Sequence, residues 1–258
     1  MTPYGKYIAF LTLLRKDVVR NIRIWPQTFL PSVVTSVLYF TIFGTFLGSR
    51  IGDISGHSYV SFVVPGLVML AVITNAYSNV ATTFFTSKFF ARNIDEILVS
   101  PTPPSILIAG YVAGGIFRGV TIGVLVLAVS LLFAPFTVMH PVSVIIFLVL
   151  TSLIFSLGGL VNGIYAKSFD AITIVPTFVL TPLVYLGGVF YSVSSLPHLV
   201  QVLSHFNPVF YLVNGFRYGL LGITDIPLGV SYAVLCGLIA VLIGINFYFL
   251  RTGLGLRT

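Results

Sequence analysis

The sequence predicts an all-α membrane protein: an amphipathic interfacial helix, six transmembrane helices, a short charged cytosolic helix, and two outer half-helices between spans five and six. Three observations carry that expectation. The 258 residues are 57% hydrophobic and only 7% charged, with a mean hydropathy of +1.07, far from the roughly 25% charged content of water-soluble domains. Apolar stretches at 27–47, 59–86, 105–133, 142–165, 171–191 and 228–250 each approach or exceed the ~20 residues a helix needs to cross a bilayer. Basic residues are also unevenly placed around those stretches. Lys6, Arg15, Lys16, Arg20, Arg23, Lys88, Arg92, Lys167, Arg251 and Arg257 fall on one side, against Arg50 and Arg217 on the other. That asymmetry puts both termini in the cytoplasm. The chain reads as one membrane domain over 1–258, with no room for a second globular unit.

Residues 1–25 read as an interfacial helix. Tyr4, Tyr7, Ile8, Leu11, Leu14, Val18 and Ile22 make one apolar face, and the five basic residues lie elsewhere around the wheel, as in helices that rest on a membrane surface. A solvated flank with snorkelling side chains is the alternative. A signal peptide is not expected, because about 25 amphipathic residues precede the first full span. Anionic lipid is the expected counterpart of the net charge of +7. Nucleic acid is not expected, since the basic residues flank spans and cover no globular face. Trp25 stands where an interface aromatic belongs, and Pro26 suits the first turn of the next helix.

The second span carries a polar stripe. Thr74, Asn75, Ser78, Asn79, Thr82, Thr83 and Thr86 recur in steps of three and four, so a helix gathers them on one side. Hydrocarbon cannot satisfy such groups, and they must meet either a neighbouring helix or a water-filled path. The spacing leaves both open. Lys88, Arg92, Asp95 and Glu96 follow, with Asn93 and Glu96 spaced as a capping box, and Pro101, Pro103 and Pro104 end the short helix that results.

Glycines at 110, 114, 115, 119 and 123 give the third span a small-residue face for close helix packing. Arg118, inside that span, costs about 2.5–3.5 kcal/mol on insertion scales at a helix centre and needs a partner or an aqueous surface. A tie to helix-end carbonyls and a functional role stand equal. The link through Lys167, Ser168 and Asp170 is short enough to make spans four and five antiparallel neighbours. In the fifth span Thr173, Thr177, Thr181 and Tyr185 step by four beside Pro176 and Pro182. Residues 192–224 are apolar but broken at Pro197, at Asn207 and Pro208, and near Arg217, which suggests two half-helices dipping in from the outer face.

Several chemistries are disfavoured. No G-x-x-x-x-G-K-[ST] occurs, so ATP hydrolysis by this chain is not expected. Asp53, Asp95, Glu96, Asp170 and Asp225 sit in or beside loops, which argues against a proton-coupled carrier. No G-x-S-x-G is present, the lone Cys236 lies in an apolar run, and His57, His140, His198 and His205 lack metal-ligand spacing. No catalytic or metal residue is expected. A channel and a non-transporting assembly subunit remain as alternatives.

A basic amphipathic start, then Arg92-Asn-Ile-Asp-Glu96-Ile-Leu-Val-Ser-Pro101, and then a tail with Thr181-Pro182, Leu186-Gly-Gly188, Leu196-Pro197, Asn207-Pro208 and Phe216-Arg217 follow one another along the chain. That order resembles the type-2 ABC exporter permeases of bacteria, the membrane subunits related to polysaccharide, nodulation-factor and drug exporters. The resemblance covers essentially the whole chain. It implies a bacterial inner-membrane permease that dimerises, exports its substrate and works with two ATPase subunits, which bind the ATP and Mg. Arg92, Asn93, Asp95, Glu96, Ile97, Ser100 and Pro101 would then form the coupling helix, and Pro197, Asn207, Pro208 and Arg217 the outer re-entrant motif. Thr74, Asn75, Ser78, Asn79, Thr82, Thr177, Thr181 and Tyr185 are the candidates for the path.

Overall fold

The structure, a computed structural model, describes residues 1–54, 56–90, 96, 100–134 and 136–255. Among them the helices are α1 (Pro3–Arg23), α2 (Trp25–Phe40), α3 (Gly48–Ile51), α4 (Tyr59–Phe89), α5 (Pro104–Ser130), α6 (Pro141–Tyr165), α7 (Phe169–Val175), α8 (Thr181–Leu186), α9 (His198–His205), α10 (Pro208–Leu221) and α11 (Leu228–Thr252). A two-residue hairpin pairs Asp53–Ile54 with His57–Ser58 before α4. Among the described residues, six helical segments are long and apolar enough to cross a membrane: Trp25–Gly44, Tyr59–Phe89, Pro104–Ser130, Pro141–Tyr165, Phe169–Leu186 and Leu228–Thr252.

Local chemistry sets the ends. Ser58 and Ser168 accept from the backbone N–H three residues on, capping α4 and α7, as short hydroxyl side chains do at N-caps. Proline occupies the first turn of α5, α6 and α10, where its missing N–H goes unneeded. Gly222 and Gly253 stop α10 and α11 in the left-handed conformation. Wider π turns at Thr41–Leu47 and Pro176–Leu180 interrupt the first and fifth spans. In the fifth span Thr181 donates its hydroxyl to the Pro176 carbonyl at 3.0 Å, which occupies an acceptor in the widened turn, and Pro182 follows in the first turn of α8.

The bundle is built around α4, where 72% of the most apolar window is buried, against 17% for the first and fifth spans. α5 and α6 pack closely on it because glycine stands at the crossings. Gly115 faces Val80 and Ser156, Gly119 faces Ala76 and Ser152, and Gly123 faces Val72 and Leu148. Gly159 of α6 lies directly on the Tyr77 backbone. The expected small-residue face of the third span is thus packed on both sides, since its remaining glycines, Gly110 and Gly114, meet Leu13 and Asp17 of α1.

That contact adds to the expectation for the first helix. α1 is amphipathic, with Tyr4, Tyr7, Ile8 and Ile22 exposed, yet its polar side is only partly solvated. Asp17 and Asn21 are buried, and the matched steps of Leu13 on Gly110 and Asp17 on Gly114 lay α1 along α5 for at least a turn. It is docked on the bundle as well as amphipathic.

Candidate functional site

The polar stripe of α4 divides in two. Asn79 and Thr83 are buried, whereas Thr74, Asn75, Ser78 and Thr86 are half-buried and Thr82 is exposed. The buried part is held by α1. Asp17 pairs with Arg20 at 2.5 Å and accepts from Asn79 Nδ2 at 2.8 Å. Arg20 donates to Asn79 Oδ1 at 3.0 Å and to the Thr83 hydroxyl at 2.5 Å. Asn21 reaches the same Asp17 carboxylate at 3.4 Å. A carboxylate buried this far from a loop is tolerated because a cation and amide donors surround it.

Arg118 extends the network from α5. Its Nη2 donates to Asn75 Oδ1 at 3.2 Å and its Nη1 to Asn79 Oδ1 at 3.5 Å. Its described hydrogen bonds therefore go to side-chain amides of the polar stripe, in place of the helix-end carbonyls considered from sequence. Asn75 then turns its own Nδ2 to the Ser32 hydroxyl of α2 at 2.9 Å.

The half-buried part of the stripe opens on a groove. A cleft of about 250 Å³ runs between α2 and α4, with Pro31, Ser32, Thr35, Ser36 and Tyr39 on one wall and Leu67, Leu70, Ala71, Thr74 and Asn75 on the other. Hydroxyls at 32, 35, 36 and 39 bring a second polar row to the α2 wall. In the fifth span Thr173, Thr177, Thr181 and Tyr185 all face outward, the first three hydrogen-bonding carbonyls of their own segment. Tyr39 of α2 meets Tyr185 of α8 side chain to side chain. The rings of Phe43 and Phe190 lie 4.8 Å apart beside them, and Tyr185 stacks on Phe190 at 5.7 Å. The groove is therefore bounded at this end by an aromatic cluster.

The segment after Tyr191 folds as two short helices. Pro197 precedes α9, and Asn207 caps α10 by accepting from Val209 N at 2.9 Å while donating to the Leu183 carbonyl at 2.5 Å. Pro208 follows in the first turn. α10 is buried along most of its length, whereas α9 exposes Leu199, Val202 and Leu203, and Phe206 just after it is exposed too. Arg217, 2% exposed, donates to the Gly188 carbonyl at 2.6 Å, lies 3.7 Å from Asp225 and stacks over Phe62 at 4.1 Å. These bonds fasten α10 to the start of α4 and the end of α8.

At the opposite end Lys88 donates to the carbonyls of Ile164 and Gly255. Glu96, Ser100 and Thr102 share a cleft with Ala9, Thr12, Leu13 and Lys16 of α1. Thus α1, the C-terminal end of α4 and the last described residues gather together. Glu96 is exposed and Pro101 sits in a turn after Ser100. Arg92, Asn93, Asp95 and Ile97 of the expected coupling helix lie outside the described residues.

A family model described as ABC-2 type transporter matches residues 8–221, which include α1, the polar stripe, Arg118 and the α2/α4 groove. The chain belongs to the ABC-2 type transporter permease family. The permease is 54% identical over 252 residues to the inner membrane transport permease YadH of Escherichia coli K12, covering 98% of each chain. It is 25% identical over 231 residues to nodulation protein J of Rhizobium meliloti, covering 84% of each. Nodulation protein J of Rhizobium leguminosarum bv. trifolii is 27% identical over 217 residues, 79% of each. The sequence-level resemblance and the six-span helical architecture both hold.

Sequence reasoning missed the α1 half of the site and the α2 wall. The signal for Asp17 was slight: it is the one acid in an otherwise basic helix. Ser32, Thr35, Ser36 and Tyr39 carried a weaker signal, a polar row in a span otherwise read by its hydropathy.

Proposed function

We propose that the chain is the membrane-spanning subunit of an ATP-driven ABC exporter in the bacterial inner membrane. Two copies form the translocation path, and two separate ATPase subunits, binding ATP and Mg, drive it from the cytosol. Family membership supports the ATPase partnership. The observation that carries the path assignment is the hydroxyl-lined groove on α2 and α4, together with the slight cover of the first span, which contains α2, and of the fifth, in each of which only 17% of the apolar window is buried by its own chain. Such uncovered, hydroxyl-bearing helices fit a wall completed by a second copy, because polar rows at membrane depth need a protein or aqueous neighbour.

Residues 92–101 join the inner end of α4 to α5, which makes them the natural contact for the ATPase. A push there reaches the groove through a short route, because α4 and α5 are tied to α1 and to Ser32 by Asp17, Arg118 and Asn75. The excess of basic residues around the inner ends supports a cytoplasmic position for both ends of the chain. Lys6, Arg15, Lys16 and Arg23, exposed on α1, face anionic headgroups. The α9–α10 pair caps the outer mouth as a re-entrant hairpin.

Filling the groove tests the path. Thr35→Trp should abolish ATP-linked flux in inverted vesicles while the ATPase still co-purifies. Full flux through the filled groove would refute the assignment.

A further inference from the structure

We infer that the inner end of the α2/α4 groove receives the acidic headgroup, phosphate or carboxylate, of an amphiphile, with Arg118 as its counter-charge. This names the substrate class for the path proposed above and rests on that assignment.

Charge balance makes the case. Arg20 and Arg118 share this region with one carboxylate, Asp17, whose oxygens are held by Arg20 at 2.5 Å and by Asn79 at 2.8 Å. Asp17 is close enough to act on Arg118 electrostatically, but among the described residues no ion pair joins Arg118 to a carboxylate. Arg118 instead donates to the neutral amide oxygens of Asn75 and Asn79, at 3.2 and 3.5 Å, and its buried Nε has no hydrogen-bond partner among the described residues. A guanidinium offers five N–H groups in a planar fork that matches the paired oxygens of phosphate or carboxylate bidentately, a match that a single amide oxygen does not offer.

The position fits a headgroup site. Asn75, which touches Arg118 Nη2, is itself a wall residue of the groove and holds Ser32 across it. An anion at that end meets Arg118 by displacing the Asn75 oxygen and can accept from the Ser32 hydroxyl. Thr35, Ser36 and Tyr39 continue the wall beside Leu67 and Leu70, a mixed surface suited to a chain that is part polar and part apolar. A cationic amphiphile would meet two arginines against one aspartate.

The test uses the purified full chain in phosphatidylcholine nanodiscs, with thermal unfolding and Trp25 fluorescence as readouts. Dodecyl phosphate should raise the unfolding midpoint saturably, whereas dodecyltrimethylammonium and inorganic phosphate should not. Arg118→Gln should weaken the apparent Kd at least about tenfold, as loss of a charge-assisted hydrogen bond implies, and Arg118→Lys should recover part of it. Ser32→Trp, which fills the same end and leaves Arg118 in place, should also abolish the response. That variant decides the matter if Arg118→Gln does not fold. Replacing part of the phosphatidylcholine with phosphatidylglycerol separates two sources of the same chemistry. Competition assigns the site to lipid headgroups, and its absence assigns it to a transported anion; both support the headgroup site. An equal response to the cation or to inorganic phosphate, or a wild-type response in Arg118→Gln or Ser32→Trp, overturns it. No ATPase is present, so failed binding leaves the transport assignment standing, while intact binding without ATP-linked flux counts against transport alone.

Discussion

Replacing Asp17 with alanine should loosen α1 from the bundle by an amount the geometry allows to be bounded. The carboxylate is 8% exposed and holds Arg20 at 2.5 Å and Asn79 Nδ2 at 2.8 Å, with Asn21 more distant at 3.4 Å. Breaking a buried pair by removing one partner costs about 3–5 kcal/mol. Arg20 is 38% exposed on its side chain and can turn toward water, so the expected loss falls to about 2–3 kcal/mol, including the stranded Asn79 amide at the usual penalty. That corresponds to roughly a 30- to 150-fold shift toward undocked α1. Hydrogen exchange in detergent should report it as faster exchange through α1, with the α5 segment around Gly114 following. Asp17→Asn should cost less, because the shape and one acceptor remain, and adding Arg20→Ala to Asp17→Ala should recover part of the loss, since no unpaired cation is left. Unchanged exchange in α1 of Asp17→Ala would refute the claim that this pair docks the helix.

Other perturbations have equally definite outcomes. Gly159→Ala should lower the unfolding midpoint by an amount equivalent to about 1–3 kcal/mol, because the new Cβ meets the Tyr77 backbone, which cannot step aside. Gly237→Ala is the control: nothing lies within 4 Å of its Cβ position, and up to about 1 kcal/mol of helix propensity should be gained. Arg217→Ala should cost about 3–5 kcal/mol and make residues 192–224 sensitive to protease, since it removes the bond to Gly188, the contact with Asp225 and the stacking on Phe62 together. Glu96→Ala or Ile97→Pro should separate ATP hydrolysis from flux while membrane insertion stays normal, measured as hydrolysis and transport in the same vesicles.

What the sequence revealed, and what it hid, follows from what each signal measures. Length and hydropathy report the bilayer directly, so the six spans were readable, including the fifth despite its two prolines. Spacing reports which residues share a helix face. It therefore gathered Thr74 through Thr86 correctly but could not say that Asn79 and Thr83 turn to α1 while Thr74 and Asn75 face a groove. That division depends on which helices flank α4. The same limit hid the partners of Arg118. Helix-end carbonyls were a reasonable expectation for an arginine in a span longer than the membrane, whereas the nearest acceptors belong to asparagines on a neighbouring helix. Asp17 escaped notice for a different reason, because one acid among five basic residues passes for part of a solvated face. The glycines of α5 were legible as a packing surface, though not as two surfaces serving α1 on one side and α4 and α6 on the other.

Co-purification with an ABC ATPase tests the central claim most directly. The permease, expressed with candidate ATPase subunits and reconstituted in nanodiscs, should retain one of them and stimulate its ATP hydrolysis. A permease that retains none of them, yet moves solute across vesicles without ATP, would contradict the account.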